Sequence, residues 1–64
     1  MWTVVYLAQS SEVALKLEDK LRKEGILVKQ RPVSGSKDKD NYYEIIVPES
    51  EVEEAHNIII EQGF

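Results

Sequence analysis

The chain has no cysteine, which excludes a disulfide scaffold, a zinc knuckle, an iron–sulfur site and thiol chemistry. Histidine occurs once, as His56, so no imidazole pair can hold a metal. Glycine and proline are scarce, at three and two, and each falls where a regular element would stop. No hydrophobic run approaches the roughly 20 residues that span a bilayer. The opening Met1-Trp2-Thr3-Val4-Val5-Tyr6 lacks the basic stretch of a signal peptide, so the expectation is a cytoplasmic protein with no membrane partner. Size excludes more. A chain of 64 residues and 7.4 kDa buries about 60% of the surface its unfolded form exposes. That leaves little core for a deep pocket and makes a cofactor-dependent enzyme implausible.

Acidic residues outnumber basic ones by 12 to 8, giving a formal net charge of −4. The balance is uneven: residues 1–32 carry six basic and four acidic side chains, and residues 33–64 carry two and eight. The halves therefore differ as +2 against −6. Such asymmetry suits a polyanion partner for the first half or head-to-tail docking of two copies.

Residues 2–8, rich in β-branched and aromatic side chains, predict a strand. Ser10 or Ser11 then caps a helix over 10–24 whose Val13, Ala14, Leu17 and Leu21 form an apolar stripe. Gly25 supplies its left-handed terminus, and Glu12–Lys16, Glu18–Arg22 and Asp19–Lys23 are acid-first pairs at i,i+4. Residues 26–31 predict a second strand, which Pro32 ends or marks as an edge. A polar loop follows over 33–41, then a third strand over 42–47 stopped by Pro48. Ser50-x-x-Glu53 reads as a capping box opening a helix over 50–62, with Val52, Ala55, His56 and Ile59 on one face and Gly63 at its end.

The order β-α-β-β-α over a single domain, 1–64, implies an α+β fold. Right-handed crossovers leave room for the third strand between the other two, giving a three-stranded sheet in order 1-3-2 with both helices on one face: a ferredoxin-like fold lacking its last strand. One face of such a sheet stays uncovered. In the first strand Trp2, Val4 and Tyr6 alternate with Thr3, Val5 and Leu7, so whichever set meets the helices, the other leaves apolar groups outside. In the third, Ile45 and Val47 facing the core leave Tyr42 and Ile46 outside. A contiguous apolar patch marks an interaction surface, and the first strand is also an unpaired edge. A homodimer or higher homo-oligomer is expected, with Trp2, Val4, Tyr6, Tyr42 and Ile46 at the interface. The alternative is a monomer in which Trp2 and Tyr6 lie over their own sheet as a lid.

Sites of chemistry are weak. His56 lies on or beside an apolar stripe with no second ligand at any recognisable spacing. Asp38-x-Asp40-Asn41, with Glu49 at the twelfth position, resembles the start of a calcium loop but has Tyr43 where the turn glycine belongs. Ser34-Gly35-Ser36-Lys37 is short for a phosphate loop and leads into a strand rather than a helix, yet it is the best candidate for a small-ligand loop. Tyr42, Tyr6 or Trp2, Lys29 and Arg31 could form a base-stacking platform for single-stranded nucleic acid, against which stand the net charge, the missing strand and the lack of an RNP consensus. No residue is expected to be catalytic, to bind a cofactor or to hold a metal.

The Met1-Trp2 start, Glu24-Gly25-Ile26 closing an amphipathic helix, and Ile45-Ile46-Val47-Pro48-Glu49 before an acidic helix with Ala55 resemble a family of small bacterial domains of unknown function. That family is described as prokaryotic signal-transducing proteins and is similar in fold to the ferredoxin-like core of PII nitrogen-regulatory proteins. The resemblance implies a non-enzymatic regulatory or sensory module. The glycine-rich nucleotide contacts of PII proteins are missing, so ATP or 2-oxoglutarate binding is not implied. The expected function is a regulatory binding module acting as a homo-oligomer through the open sheet face, the alternative being single-stranded nucleic-acid binding there.

Overall fold

A computed structural model describes residues 1–33 and 42–63. Its elements are strand β1 (Trp2–Ala8), helix α1 (Ser11–Lys23), strand β2 (Lys29–Pro32), strand β3 (Tyr43–Pro48), a 3-10 turn (Glu49–Glu51) and helix α2 (Val52–Gln62). β3 lies between β1 and β2 and pairs antiparallel with each. The architecture is the expected truncated ferredoxin-like α+β fold.

α1 forms because its ends are satisfied and one face is apolar. The Ser10 Oγ accepts a hydrogen bond from the Val13 amide at 3.2 Å, a cap contributing about 1 kcal/mol. At the other end the Gly25 amide donates to Arg22 O at 2.9 Å and the Ile26 amide to Leu21 O at 3.0 Å. This Schellman pair requires a left-handed residue, which Gly25 supplies at φ 85°. Ala14, Leu17 and Leu21 of α1 then meet Ala55, Ile58 and Ile59 of α2 over Ala8, Ile45 and Val47 of the sheet. Both helices thus cover one face. The acid-first pairs Glu18–Arg22 and Asp19–Lys23 close at 2.7 and 3.2 Å, and Lys20–Glu24 adds a basic-first pair at 3.4 Å.

Several boundaries differ from the sequence reading, α1 by one residue at each end. β2 begins at Lys29 rather than at 26, because the preceding amides are engaged elsewhere: Ile26 donates to Leu21 O, and Leu27 donates to the Glu51 carboxylate at 3.2 Å. Ile26 and Val28 are nonetheless buried. The last helix begins at Val52, and the Ser50-x-x-Glu53 box is not its cap. Ser50 lies inside the 3-10 turn, and Glu51 occupies the cap position without a side-chain bond to the helix. The Glu49 amide donates to Met1 O at 2.7 Å, which carries pairing one step past Pro48. β3 itself is displaced by one residue, to 43–48.

β1 carries a bulge. Val4 opposes Ile46 and Tyr6 opposes Ile45, so Val5 has no partner across the ladder. Because side chains alternate along a strand, one extra residue reverses the alternation beyond it. Thr3 faces the helices, and so do Tyr6 and Ala8, opposite Val47, Ile45 and Tyr43. Trp2, Val4 and Leu7 face the other way.

Candidate interaction surface

The face without helices is built in rows across the sheet. The register sets Trp2 beside Pro48; Val4 beside Ile46 and Lys29; Leu7 beside Glu44 and Arg31. A further backbone bond, from the Val33 amide to Tyr42 O at 2.8 Å, extends the pairing of β2 with β3 toward the loop.

Of the five residues expected at an interface, Trp2, Val4 and Ile46 lie on this face, and Tyr42, just ahead of β3, is 41% exposed. Tyr6 does not lie on it. The bulge turns it to the helix side, where it packs against the core with Val5 and Tyr43. Leu7 takes its place, 47% exposed beside Trp2 at 41% and Val4 at 43%. Sequence alternation assigns Leu7 to the opposite set from Trp2, and Val4-Val5-Tyr6 contains no glycine to signal a bulge.

Ile46 is only 7% exposed although no helix covers it. Its neighbours in the register are Val4 and Lys29, and the Lys29 ammonium lies 4.3 Å from the Trp2 ring centroid. Next to this pair, Arg31 grips Glu44 through Nε at 2.8 Å and Nη2 at 2.5 Å. The face therefore divides lengthwise. The β1 side is an uncharged stripe of Trp2, Val4 and Leu7, and the β2 side carries Lys29 and the Arg31–Glu44 ion pair.

The remaining candidates are not gathered into a site. His56 is exposed on α2, beside the buried face of Ala55, Ile58 and Ile59 rather than on it. The proposed ligand loop, Ser34, Gly35, Ser36 and Lys37, and the calcium-like Asp38, Asp40 and Asn41 lie outside the described residues. Among the described residues there is no cluster of three His, Asp or Glu side chains placed to hold a metal ion, and no helix is long and apolar enough to cross a membrane. A shallow depression of about 150 Å³ on α1 is lined by Leu15, Glu18, Asp19 and Arg22, but Glu18 pairs with Arg22, and Asp19 with Lys23.

Comparison with protein-family models, curated proteins and solved structures returns no match to this chain.

Proposed function

We propose that the protein is a non-enzymatic, regulatory recognition module that works as a homo-oligomer, with the helix-free side of its sheet as the contact surface. One observation carries this reading: Trp2, Val4 and Leu7, each between 41% and 47% exposed, form an apolar stripe along a sheet edge that no element among the described residues covers. A small domain gains from hiding such a stripe, and a second copy supplies a matching one. The regulatory part of this reading is what the sequence's resemblance to small bacterial signal-transducing domains implies, and the cytoplasm is the location expected from its opening residues. Catalysis has less support, because no described nucleophile, acid and base converge.

Nucleic-acid binding on the same face is the weaker reading. A stacking platform needs a free ring face and unpaired cations. The Lys29 ammonium lies on the Trp2 ring, and Arg31 is held by Glu44.

Sedimentation equilibrium of the full chain over the micromolar range tests the proposal. A species heavier than one chain, growing with concentration, is expected. A single 7.4 kDa species throughout would refute self-association.

A further inference from the structure

The sheet has two edges of different character. β2 is four residues long and contains Lys29, Arg31 and Pro32, the charges and proline that protect an edge against strand addition. β1 is seven residues long, Trp-Thr-Val-Val-Tyr-Leu-Ala, with no charge and no proline. Its one protective feature is the bulge at Val5, which leaves Trp2–Val4 and Tyr6–Ala8 as extended segments on either side.

We propose that a second copy of the chain adds along the edge of β1 away from β3, which no described strand pairs with, antiparallel about a twofold axis, so that two three-stranded sheets become one of six strands. This rests on the reading of the protein as a homo-oligomer and specifies how the copies meet. The alternative is face-to-face stacking of the two helix-free sheets. Stacking would remove the Lys29 ammonium from water, together with Arg31 and Glu44, and desolvation of such charges is unfavourable unless new partners replace the water. Edge addition leaves all three where they are. It also brings the Trp2, Val4 and Leu7 stripes of the two copies into adjacent columns, the spacing at which cross-strand side chains interact. An uncharged strand meets its own copy without like-charge repulsion, so β1 suits itself as a partner, whereas β2 would set lysine and arginine against their own copies.

Edge pairing sets the two apolar stripes side by side along the seam, where each shields part of the other, and keeps Lys29 of both copies at the outer margins.

The seam has a definite length. Seven residues at about 3.3 Å each give a contact of about 23 Å, a single strand edge rather than two packed faces, so association in the micromolar range is expected rather than a permanent dimer.

Two measurements on the full chain decide the matter. In the first, amide hydrogen exchange is followed residue by residue at low and high protein concentration. Edge pairing slows exchange of β1 amides in alternation as concentration rises. In the second, Val4→Lys and Val4→Glu are each compared with their equimolar mixture by sedimentation. Val4 is 43% exposed, so both variants should fold, which circular dichroism checks. Each alone should associate about tenfold more weakly or worse, because the two copies bring like charges close together on either side of the axis, and the mixture should recover. Lys29→Ala serves as the control for stacking: association within about twofold of the parent is expected, while face packing would be strengthened by loss of a buried ammonium.

If the parent chain self-associates but β1 amides exchange at the same rate at every concentration, or Lys29→Ala tightens association, edge pairing is overturned while self-association stands. If the parent is a monomer throughout, both fall.

Discussion

The Lys29 ammonium lies 4.3 Å from the centroid of the Trp2 ring, although the two residues sit on strands that do not touch. Trp2 belongs to β1 and Lys29 to β2, with β3 between them, and strands two apart in a sheet are separated by about 10 Å. The contact therefore passes over β3 at the level of Ile46 and Pro48. That is why Ile46 is buried on the side of the sheet that has no helices. The pair acts as a roof, made from an aromatic ring and the aliphatic stem of a lysine.

Trp2→Ala should therefore destabilise the domain by about 2 kcal/mol, from the lost apolar area of a half-buried indole. Lys29→Ala should cost about 0.5–1 kcal/mol, the usual range for a cation–π contact at an exposed site. In a domain this small, 1 kcal/mol shifts Tm by about 4–8 °C, so both effects are readable in thermal melts. A double-mutant cycle should show coupling between the two. Additive losses would mean that the ring covers Ile46 without help from Lys29.

The bulge at Val5 makes a second, sharper prediction, because simple alternation places Tyr6 and Leu7 the other way round. With Tyr6 packed against the core and Leu7 exposed opposite Glu44, Tyr6→Ala should cost about 2 kcal/mol or more. Leu7→Lys should be within about 0.5 kcal/mol of neutral, because a lysine there faces a carboxylate across the strands. Urea titrations with unchanged m-values would measure both. The reverse ranking would place the bulge elsewhere.

These two neighbours also mark how far the sequence could be read. The strand order, the uncovered face and the α1 caps follow from patterns with a period or a fixed spacing: the Leu17–Leu21 stripe, Ser10 before Glu12, Gly25 after the last turn. The bulge has no such mark, since Val, Val and Tyr suit a strand equally well in either orientation. The capping box failed for a different reason. Ser50 has the right residue type and spacing, but Pro48 and the Glu49–Met1 backbone bond hold the chain in a 3-10 turn there, and Glu51 is drawn to the Leu27 amide. Such a bond, 24 residues apart in sequence, is invisible to local pattern. His56 lies at the edge of its helix's apolar stripe: the buried positions are Ala55, Ile58 and Ile59, and Ile58 shifts the stripe's centre away from it.

Glu18 and Asp19 are adjacent carboxylates on α1, each paired with a base one turn on, yet they should differ when removed. Glu18 has only 13% of its side chain exposed. It accepts from Gln30 of β2 at 2.6 Å as well as from Arg22 at 2.7 Å, tying the helix to the sheet. Asp19 is 65% exposed and meets only Lys23. Glu18→Ala should cost about 1–2 kcal/mol, leaving Gln30 without its partner. Asp19→Ala should cost no more than about 0.5 kcal/mol and less still in high salt. Equal losses would show that the Gln30 bond adds nothing beyond the helix pair.

Gly25 tests the end of α1. Its φ is 85°, and a Cβ built there would meet nothing within 4 Å. Substitution therefore perturbs backbone conformation alone, with no clash to confuse the result. Gly25→Ala should cost about 1 kcal/mol, and Gly25→Asn less, because asparagine tolerates the left-handed region. Chemical denaturation of the two variants gives the ranking, and a neutral Gly25→Ala would mean that the chain leaves the helix by another route.

The last prediction concerns what the helix-free face does not bind. An aromatic ring recruits a base by offering its π-face, and phosphate contacts by lysine or arginine make the affinity fall steeply with salt. Here Trp2 is the sole tryptophan, so its fluorescence reports directly on the platform. With Lys29 over the ring and Arg31 bound by Glu44, single-stranded RNA should leave that fluorescence unchanged at moderate salt. Lys29→Ala uncovers the ring but also removes a cation, so it should not create salt-steep binding. Quenching of Trp2 by RNA in the parent chain, weakening in proportion to added salt, would transfer the face from protein recognition to nucleic-acid recognition. It would also require the Lys29 ammonium to leave the ring for a phosphate, a movement that Lys29→Met would abolish.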